Sequence, residues 1–208
     1  GYSRKFQKFL EDIKDGDQFL EKIIRASNKN GAAMRSIPFG VLPFPNEVIK
    51  VAYRQAAITH NMVGGLFGSL AIALMAHYIW HDLGPINRHQ MGSFLREHLK
   101  PLIYSREDFT HAFAKPFNDR VKGPEVGFVT AIAVFELLIS CQNLKQVLKQ
   151  TIEWGGDTDS VAALGLGLGC AYMKDNLLDF MHYAVAPNTK YGSEFLLDLG
   201  KKLEHKFG

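Results

Sequence analysis

Apolar residues recur at intervals of three and four along nearly the whole chain. Phe6, Phe9 and Ile13 follow this spacing near the start, whereas runs that alternate between apolar and polar residues, as strands do, are rare. The pattern predicts an all-α fold built from amphipathic helices that each bury one face. The predicted helices are residues 3–14, 17–26, 46–59, 62–81, 88–99, 107–114, 125–140, 143–153, 158–173, 175–184 and 190–205.

Two of these helices are apolar nearly all round and contain several glycines. Residues 62–80 and 158–173 each carry three glycines among apolar side chains. A helix without a polar face must be surrounded by protein, and small residues let neighbouring backbones approach closely. The most apolar run, residues 62–76, is shorter than the roughly 20 residues that span a bilayer. We therefore expect a compact multi-helix bundle with these two helices at its centre, and no membrane partner.

The composition is that of an ordinary globular domain. The chain has 208 residues, 47% hydrophobic and 22% charged, which predicts a single all-helical domain over residues 1–208. Its net charge of +3 is scattered, without the dense basic stripe of a surface that binds nucleic acid. Cys141 and Cys170 lie in apolar helical segments without metal-type spacing, which predicts buried, reduced thiols and a cytoplasmic protein.

The segment EWGGDTDSVAAL places an acidic turn directly before the second apolar helix. Gly155 and Gly156 open backbone conformations that other residues avoid. One interpretation of the turn is a helix cap, in which Asp157 or Thr158 accepts from backbone N–H groups of the first turn. Capping needs only one such side chain, so it does not by itself account for the whole motif.

The alternative interpretation of the turn is a metal site. Asp157, Asp159 and the hydroxyl of Ser160 are hard oxygen ligands of the type that suits Mg²⁺, Mn²⁺ or Ca²⁺. An EF-hand is excluded because Ala162 and Leu168 stand where the loop requires glycine and glutamate. A phosphatase-type nucleophile would follow a hydrophobic strand, whereas the preceding segment has a helical pattern.

A second group of candidate residues lies in the segment NGAAMRSIPFG. Asn30 and Gly31 are a strong turn signal, and the small residues after them leave room for a ligand to approach the backbone. Arg35 could pair with a phosphate group in a planar, bidentate manner. The alternative is a structural loop with a surface arginine.

The segment QAAITHN ends one helix just before the central apolar helix. A histidine in this position, His60, often only interacts with the dipole at the helix C-terminus. His60 could equally contact a ligand, and the sequence pattern alone leaves both interpretations open.

The segments NGAAMRSIPFG, QAAITHN and GGDTDSVAAL occur in this order with helical segments between them. Together they resemble the ADP-ribosylglycohydrolase family, and the resemblance runs from about Tyr2 to Tyr172. It implies an all-helical hydrolase that removes ADP-ribose from protein side chains or related acceptors. It also implies a pair of Mg²⁺ or Mn²⁺ ions in a central cleft, and it leaves open both the acceptor and the choice of metal.

The resemblance assigns roles to particular residues. Asp157, Asp159 and Ser160 match metal ligands of the family. The residues that it places around ADP-ribose are Asn30, Gly31, Ala32, Met34, Arg35, His60, Gly155 and Gly156. A glycosidic bond to ribose breaks through an oxocarbenium-like transition state, and metal ions can orient the ribose hydroxyls and activate water.

The chain departs from the family in one respect. Family members carry, upstream of the matched segments, a catalytic acidic residue and a Thr-Asp-Asp triplet that completes the metal site. This chain contains no Thr-Asp-Asp run, so its catalytic residue is unassigned. Its first residue is Gly1 rather than Met, which favours the larger, C-terminal part of a longer enzyme. The alternatives are a missing segment supplied as a separate chain, and a shortened pseudoenzyme.

Three functions therefore compete. The first is a metal-dependent ADP-ribosyl hydrolase acting on ADP-ribosylated protein or a small acceptor. The second is a non-catalytic module that binds ADP-ribose or a nucleotide. The third is a helical interaction domain whose glycines only pack helices. If the chain is a piece of a larger bundle, its exposed apolar faces would favour aggregation or a homo-oligomer.

Overall fold

The computed structural model describes residues 4–103, 107–173 and 192–207, which form ten α-helices and no β-strand. The predicted all-α fold is confirmed. The helices are α1 (Arg4–Glu11), α2 (Gly16–Lys22), α3 (Pro45–Ala57), α4 (Val63–Trp80), α5 (Gln90–His98), α6 (Lys100–Ile103), α7 (Val126–Ser140), α8 (Leu144–Trp154), α9 (Thr158–Gly169) and α10 (Ser193–Phe207). Short 3₁₀ helices cover Ala33–Arg35, Ile37–Val41 and Glu107–Phe109.

Local sequence signals account for several helix boundaries. Asp15 is the N-cap of α2, and its side chain accepts from the backbone N–H of Gln18. Pro45 is the first residue of α3, where its missing N–H costs nothing. The end of α2 comes earlier than the apolar pattern predicts, because Ile23 has the extended angles φ −65° and ψ 128°.

The predicted helix at 107–114 is wrong, because only Glu107–Phe109 is helical and of the 3₁₀ type. Phe113 has a φ of 61°, which a continuous right-handed helix does not allow. The predicted helix at 175–184 lies outside the described residues.

Helix α4 forms the centre of the fold. All its residues from Gly64 to Ile79 are buried, and it packs against α3, α7 and the 3₁₀ helix Ile37–Val41. Its 18 residues are long and apolar enough to cross a membrane, yet 89% of them lie inside the protein. That degree of burial identifies α4 as a core helix, as its sequence predicts.

The second glycine-containing helix, α9, packs between α7 and α8. Val161, Leu164 and Leu168 are on its buried face, whereas Asp159 and Gly167 are exposed. The apolar α7 packs on both α4 and α9, so these three helices together form the centre of the bundle. One end of α9 is thus open to solvent on the side that carries the acidic turn.

Cys141 and Cys170 are not joined in a disulfide, in agreement with the sequence. Their predicted burial is wrong for Cys170, which is exposed, and only partly correct for Cys141, which is half-buried. Cys170 follows the last turn of α9, where the helix leaves the core.

The segment between the 3₁₀ helix at 107–109 and α7 is tied to the bundle through the carboxylate of Glu136, which also forms a partly buried ion pair with Arg88. Arg88 Nη2 lies 2.5 Å from Glu136 Oε2, and the same carboxylate oxygen accepts from the backbone N–H of Phe117 at 3.1 Å. The chain then reaches Val121, which forms a parallel β-bridge with Gly156. This segment therefore touches the acidic turn directly.

Apolar side chains also remain on the surface. Ile24, just after α2, is 71% exposed, and Leu197 of α10 is 65% exposed. Three further side chains of α10, Phe195, Leu196 and Leu199, are exposed as well. Exposed apolar surface of this kind favours association between protein molecules. The expectation of aggregation or a homo-oligomer stays a prediction.

Candidate functional site

Glycines in α4 and α7 let the loop at residues 27–30 lie directly on the helix backbones. The carbonyl of Asn28 accepts from Gly127 N–H at 2.8 Å, and its side-chain oxygen accepts from Gly64 N–H at 3.0 Å. A Cβ atom on Gly65 would lie 2.5 Å from the carbonyl oxygen of Ser27. Any larger residue at these positions would push the loop away from the helices.

A carboxylate that the sequence analysis did not identify supports the same loop. Glu125 Oε1 accepts from Asn28 Nδ2 at 2.9 Å. A Cβ atom on Gly64 would lie 2.1 Å from Glu125 Oε2, so the carboxylate sits against the first turn of α4. Negative charge is favourable there because the helix dipole is positive at its N-terminus.

The loop places Asn30 against the acidic turn. Asn30 is 7% exposed, and its Nδ2 donates to Asp157 Oδ2 at 2.7 Å and to Thr130 Oγ1 at 3.1 Å. The amide therefore uses both of its protons on protein acceptors. The loop and the turn, which the sequence analysis chose separately, meet through this side chain.

Asp157 is the N-cap residue of α9, but its side chain does not cap the helix. Its φ and ψ are −82° and 64°, and its side chain accepts no capping hydrogen bond from a backbone N–H of the first turn. The prediction that the Asp157 carboxylate serves as a cap is thus wrong. The carboxylate is held by Asn30 instead.

Asp159 lies next to Asp157, on the exposed side of the turn. A hydrogen bond with the Asp157 side chain, followed by one from the Ser160 backbone N–H, lowers the pKa of Asp159. The two carboxyl groups are thus close neighbours in the turn. The two acidic side chains therefore converge at one point.

The third predicted metal ligand, Ser160, is buried and faces the loop. Its hydroxyl donates to Met34 Sδ at 3.4 Å, which is a weak acceptor. The oxygen atoms of Asp157, Asp159 and Ser160 are thus all in the first turn of α9 or at its cap. Among the described residues, no group of three or more His, Cys, Asp and Glu side chains is arranged to hold a metal ion.

The glycines of the turn have a structural requirement of their own. Gly155 and Gly156 have φ values of 68° and 84°, in the region that favours glycine. Val121 N–H donates to the Gly155 carbonyl at 3.3 Å, and Asp157 N–H donates to the Val121 carbonyl at 2.9 Å. A Cβ atom on Gly156 would lie 2.1 Å from that carbonyl oxygen. Access of a ribose to these glycines stays a prediction.

His60 lies beside Gly31 in the candidate ligand loop. A Cβ atom on Gly31 would be 3.0 Å from both Cε1 and Nε2 of the imidazole. Burial, reinforced by the positive charge of Arg35, lowers the pKa of His60 to about 4. The ring is therefore neutral near pH 7, and it carries no positive charge to interact with the helix dipole.

Arg35 and Ala32 are both bound within the protein. Arg35 Nε donates to Gln55 Oε1 at 3.2 Å, and its Nη2 donates to Thr59 Oγ1 at 3.0 Å. Ala32 is fully buried, and its carbonyl accepts from Gln55 Nε2 at 3.0 Å. Their roles as ligand-binding residues stay predictions.

The structure thus joins Asn30 and Met34 to the acidic turn, and His60 to Gly31. Sequence reasoning missed Glu125, Thr130 and Val121, which no local pattern marks. Gln55 and Thr59 were part of the QAAITHN segment, so a signal for them was present.

In this all-helical fold, the Asn30 loop lies against the acidic, glycine-bounded turn, and these two segments carry much of the resemblance seen in the sequence. The family model for ADP-ribosylglycohydrolase matches residues 1–177, and the chain belongs to that family. The resemblance seen in the sequence is confirmed.

A curated relative is the ADP-ribosyl-[dinitrogen reductase] glycohydrolase of Rhodospirillum rubrum. It is 28% identical to this chain over 153 residues, which make up 71% of the chain and 47% of the relative. The chain thus aligns with about half of that protein. No solved structure matches the chain significantly.

Proposed function

We propose that the acidic turn and the Asn30 loop form part of a metal-assisted site. Its reaction would be hydrolysis of the bond between ADP-ribose and a protein side chain or small acceptor. The observation that carries this proposal is the hydrogen bond from Asn30 Nδ2 to Asp157 Oδ2. It brings the two motifs of the family together in space, and it binds the carboxylate of Asp157, which does not cap α9. The family membership supports the reaction class.

The residues of the turn fit a divalent ion. Asp157, Asp159 and Ser160 offer oxygen atoms that suit Mg²⁺ or Mn²⁺. The two carboxyl groups already lie close enough to hydrogen-bond, and a cation between them would offset the repulsion of two negative charges. When bound, such ions orient the ribose hydroxyls and lower the pKa of water. The family resemblance implies two ions in the complete site.

The protein's own groups hold the substrate and the turn in place. In the reaction, a water oxygen bonds to C1 of the ribose while the bond from C1 to the acceptor breaks, and the acceptor leaves with a proton. Asn30 orients the Asp157 carboxylate, and His60 presents a neutral ring edge beside Gly31. The proposal assigns no catalytic acid or base.

Calorimetry with ADP-ribose separates the candidate functions. Binding that strengthens at least about tenfold when Mn²⁺ or Mg²⁺ is added supports the proposal. Equal binding in EDTA would indicate a non-catalytic ADP-ribose module instead. Failure of ADP-ribose to bind under either condition would favour a helical interaction domain.

Substitutions in the turn test the metal ligands directly. Asp157→Asn and Asp159→Asn should each lose Mn²⁺ binding, measured by the paramagnetic resonance signal of free Mn²⁺. Helical circular dichroism should be unchanged. Asp12→Asn, which makes the same chemical change at an exposed position, is the control and should bind as the original chain does. Unchanged Mn²⁺ affinity in both turn variants would refute the assignment.

A further inference from the structure

A continuous chain of hydrogen bonds runs from the buried core to the imidazole of His60. It begins at Ser69 of α4, which is buried and donates to the Ala52 carbonyl at 3.3 Å. Gln55 Nε2 donates to Ser69 Oγ at 2.7 Å. The chemistry of the donor and acceptor groups sets the direction of each hydrogen bond in this chain.

The orientation of the Gln55 amide is the first step. Its Nε2 also lies 3.0 Å from the Ala32 carbonyl oxygen, which can only accept. The NH₂ group must therefore occupy this position, and Oε1 must face Arg35. Arg35 Nε–H donates to that oxygen at 3.2 Å.

The second step fixes the hydroxyl proton of Thr59. A guanidinium group only donates, so Thr59 Oγ1 accepts from Arg35 Nη2 at 3.0 Å. The other hydrogen bond of Thr59 is a 2.6 Å contact with His60 Nδ1. Thr59 makes no third side-chain hydrogen bond to the described residues. Nδ1 is therefore the acceptor among the described residues that lies within reach of its own proton.

The third step places the ring proton. His60 is neutral at pH 7, because burial and then the charge of Arg35 lower its pKa to about 4. A neutral imidazole carries one proton, and Nδ1 accepts from Thr59. The proton is then on Nε2, which lies 3.0 Å from the position that a Cβ on Gly31 would take. A donor N–H consequently faces the loop where glycine leaves space.

We propose that Thr59 is a positioning residue that holds His60 as the Nε2–H tautomer. His60 would thereby offer a hydrogen-bond donor to an acceptor oxygen or nitrogen of the nucleoside diphosphate sugar beside Gly31. The ligand in this inference rests on the proposed function, whereas the tautomer does not. Arg35 acts in the same chain by occupying the acceptor side of the Thr59 hydroxyl.

Nuclear magnetic resonance of the full chain with labelled histidine tests the tautomer at pH 7. In the original chain and in Thr59→Ser, Nδ1 should have the chemical shift of an unprotonated nitrogen and Nε2 that of a protonated one. Thr59→Val keeps the shape but removes the hydroxyl, and it should populate the Nδ1–H form measurably. A protonated Nδ1 in the original chain, or identical tautomer populations in all three proteins, would overturn the inference. The first criterion applies even if Thr59→Val does not fold.

Calorimetry with ADP-ribose and Mn²⁺ tests the ligand contact. Thr59→Val should bind about five- to tenfold more weakly, the effect of losing one neutral hydrogen bond, while Thr59→Ser should stay within about twofold of the original chain. If ADP-ribose binds all three proteins equally, the positioning role is overturned and the proposed function stands. If ADP-ribose does not bind the original chain, the proposed function fails, and with it the ligand contact.

Discussion

Asn30 and Asp157 lie 127 positions apart in the sequence and are joined by a 2.7 Å hydrogen bond between the amide nitrogen and a carboxylate oxygen. The same nitrogen donates to Thr130 on α7. One buried amide thus ties together the loop, the central helix α7 and the acidic turn. The orientation of the Asp157 carboxylate depends on this tie, and so does the geometry of the candidate metal site.

Asn30→Asp should destabilise the protein. It removes both donor protons and places a second carboxylate beside Asp157, so we expect the free energy of unfolding in urea with EDTA to fall by about 2–3 kcal/mol at pH 7. Asn46→Asp makes the same change at an exposed position in the first turn of α3 and should have almost no effect. Equal losses in the two variants would contradict the role of the Asn30 amide.

Gly68→Ala should also destabilise the protein, because the new Cβ would lie 2.5 Å from the backbone oxygen of Gly127. Separating α4 from α7 should cost about 1–3 kcal/mol, measured by urea unfolding. Gly167→Ala is the matched control. Its Cβ would make an ordinary 3.4 Å contact with the end of the Ile37 side chain, so it should gain up to about 1 kcal/mol from helix propensity. A gain at both positions would show that α4 and α7 can separate without cost.

Gly156→Ala should loosen the acidic turn. Its Cβ would lie 2.1 Å from the Val121 carbonyl oxygen, which accepts from Asp157 N–H. Hydrogen exchange at the Asp157 amide should therefore become faster. Gly155→Ala introduces backbone strain of about 1–3 kcal/mol, but its Cβ meets Arg120 Nε at an ordinary 3.4 Å. Slow exchange at Asp157 in Gly156→Ala would mean that the bridge is not essential.

His60 should make stability depend on pH. Its pKa is about 4 in the folded protein against the ordinary 6.5, so between these values the unfolded chain binds the proton more tightly, and stability falls as the pH is lowered from 7 to 4. The full pKa difference corresponds to about 3 kcal/mol, an upper bound for a ring that is only partly buried. Urea unfolding of His60→Asn across this range should show a shallower loss.

The exposed His111 provides the control for the pH series. His111→Asn should lose stability with falling pH as the original chain does. If His60→Asn follows the same curve as the other two proteins, the imidazole is not held in its neutral form by the fold.

The sequence predicted that Asn30 and Asp157 belong to the site, but not that they contact each other. The helical spacing and the turn signals predicted most helices, because amphipathic periodicity is a local property. The motifs around Asn30 and Asp157 carried the family resemblance. Their contact could not be predicted from sequence alone, since it depends on how closely α4 and α7 pack.

The missed residues share a physical reason. Val121 contacts the turn through its backbone atoms, so the identity of its side chain does not indicate that contact. Glu125 looks like any acidic residue before a helix, and its place against Gly64 depends on tertiary packing. The assignment of Asp157 as a cap failed because a tertiary donor, Asn30, holds the carboxylate.

The ion pair between Arg88 and Glu136 has an effect beyond its own surroundings. The Glu136 carboxylate also accepts from Phe117 N–H, and the chain from there leads to Val121, whose backbone contacts both sides of Gly156. A natural variant that lost Arg88 would therefore mimic damage to the acidic turn without altering any of its residues. The number of residues that separate a variant from the two aspartates in the sequence therefore does not predict whether the variant damages the site.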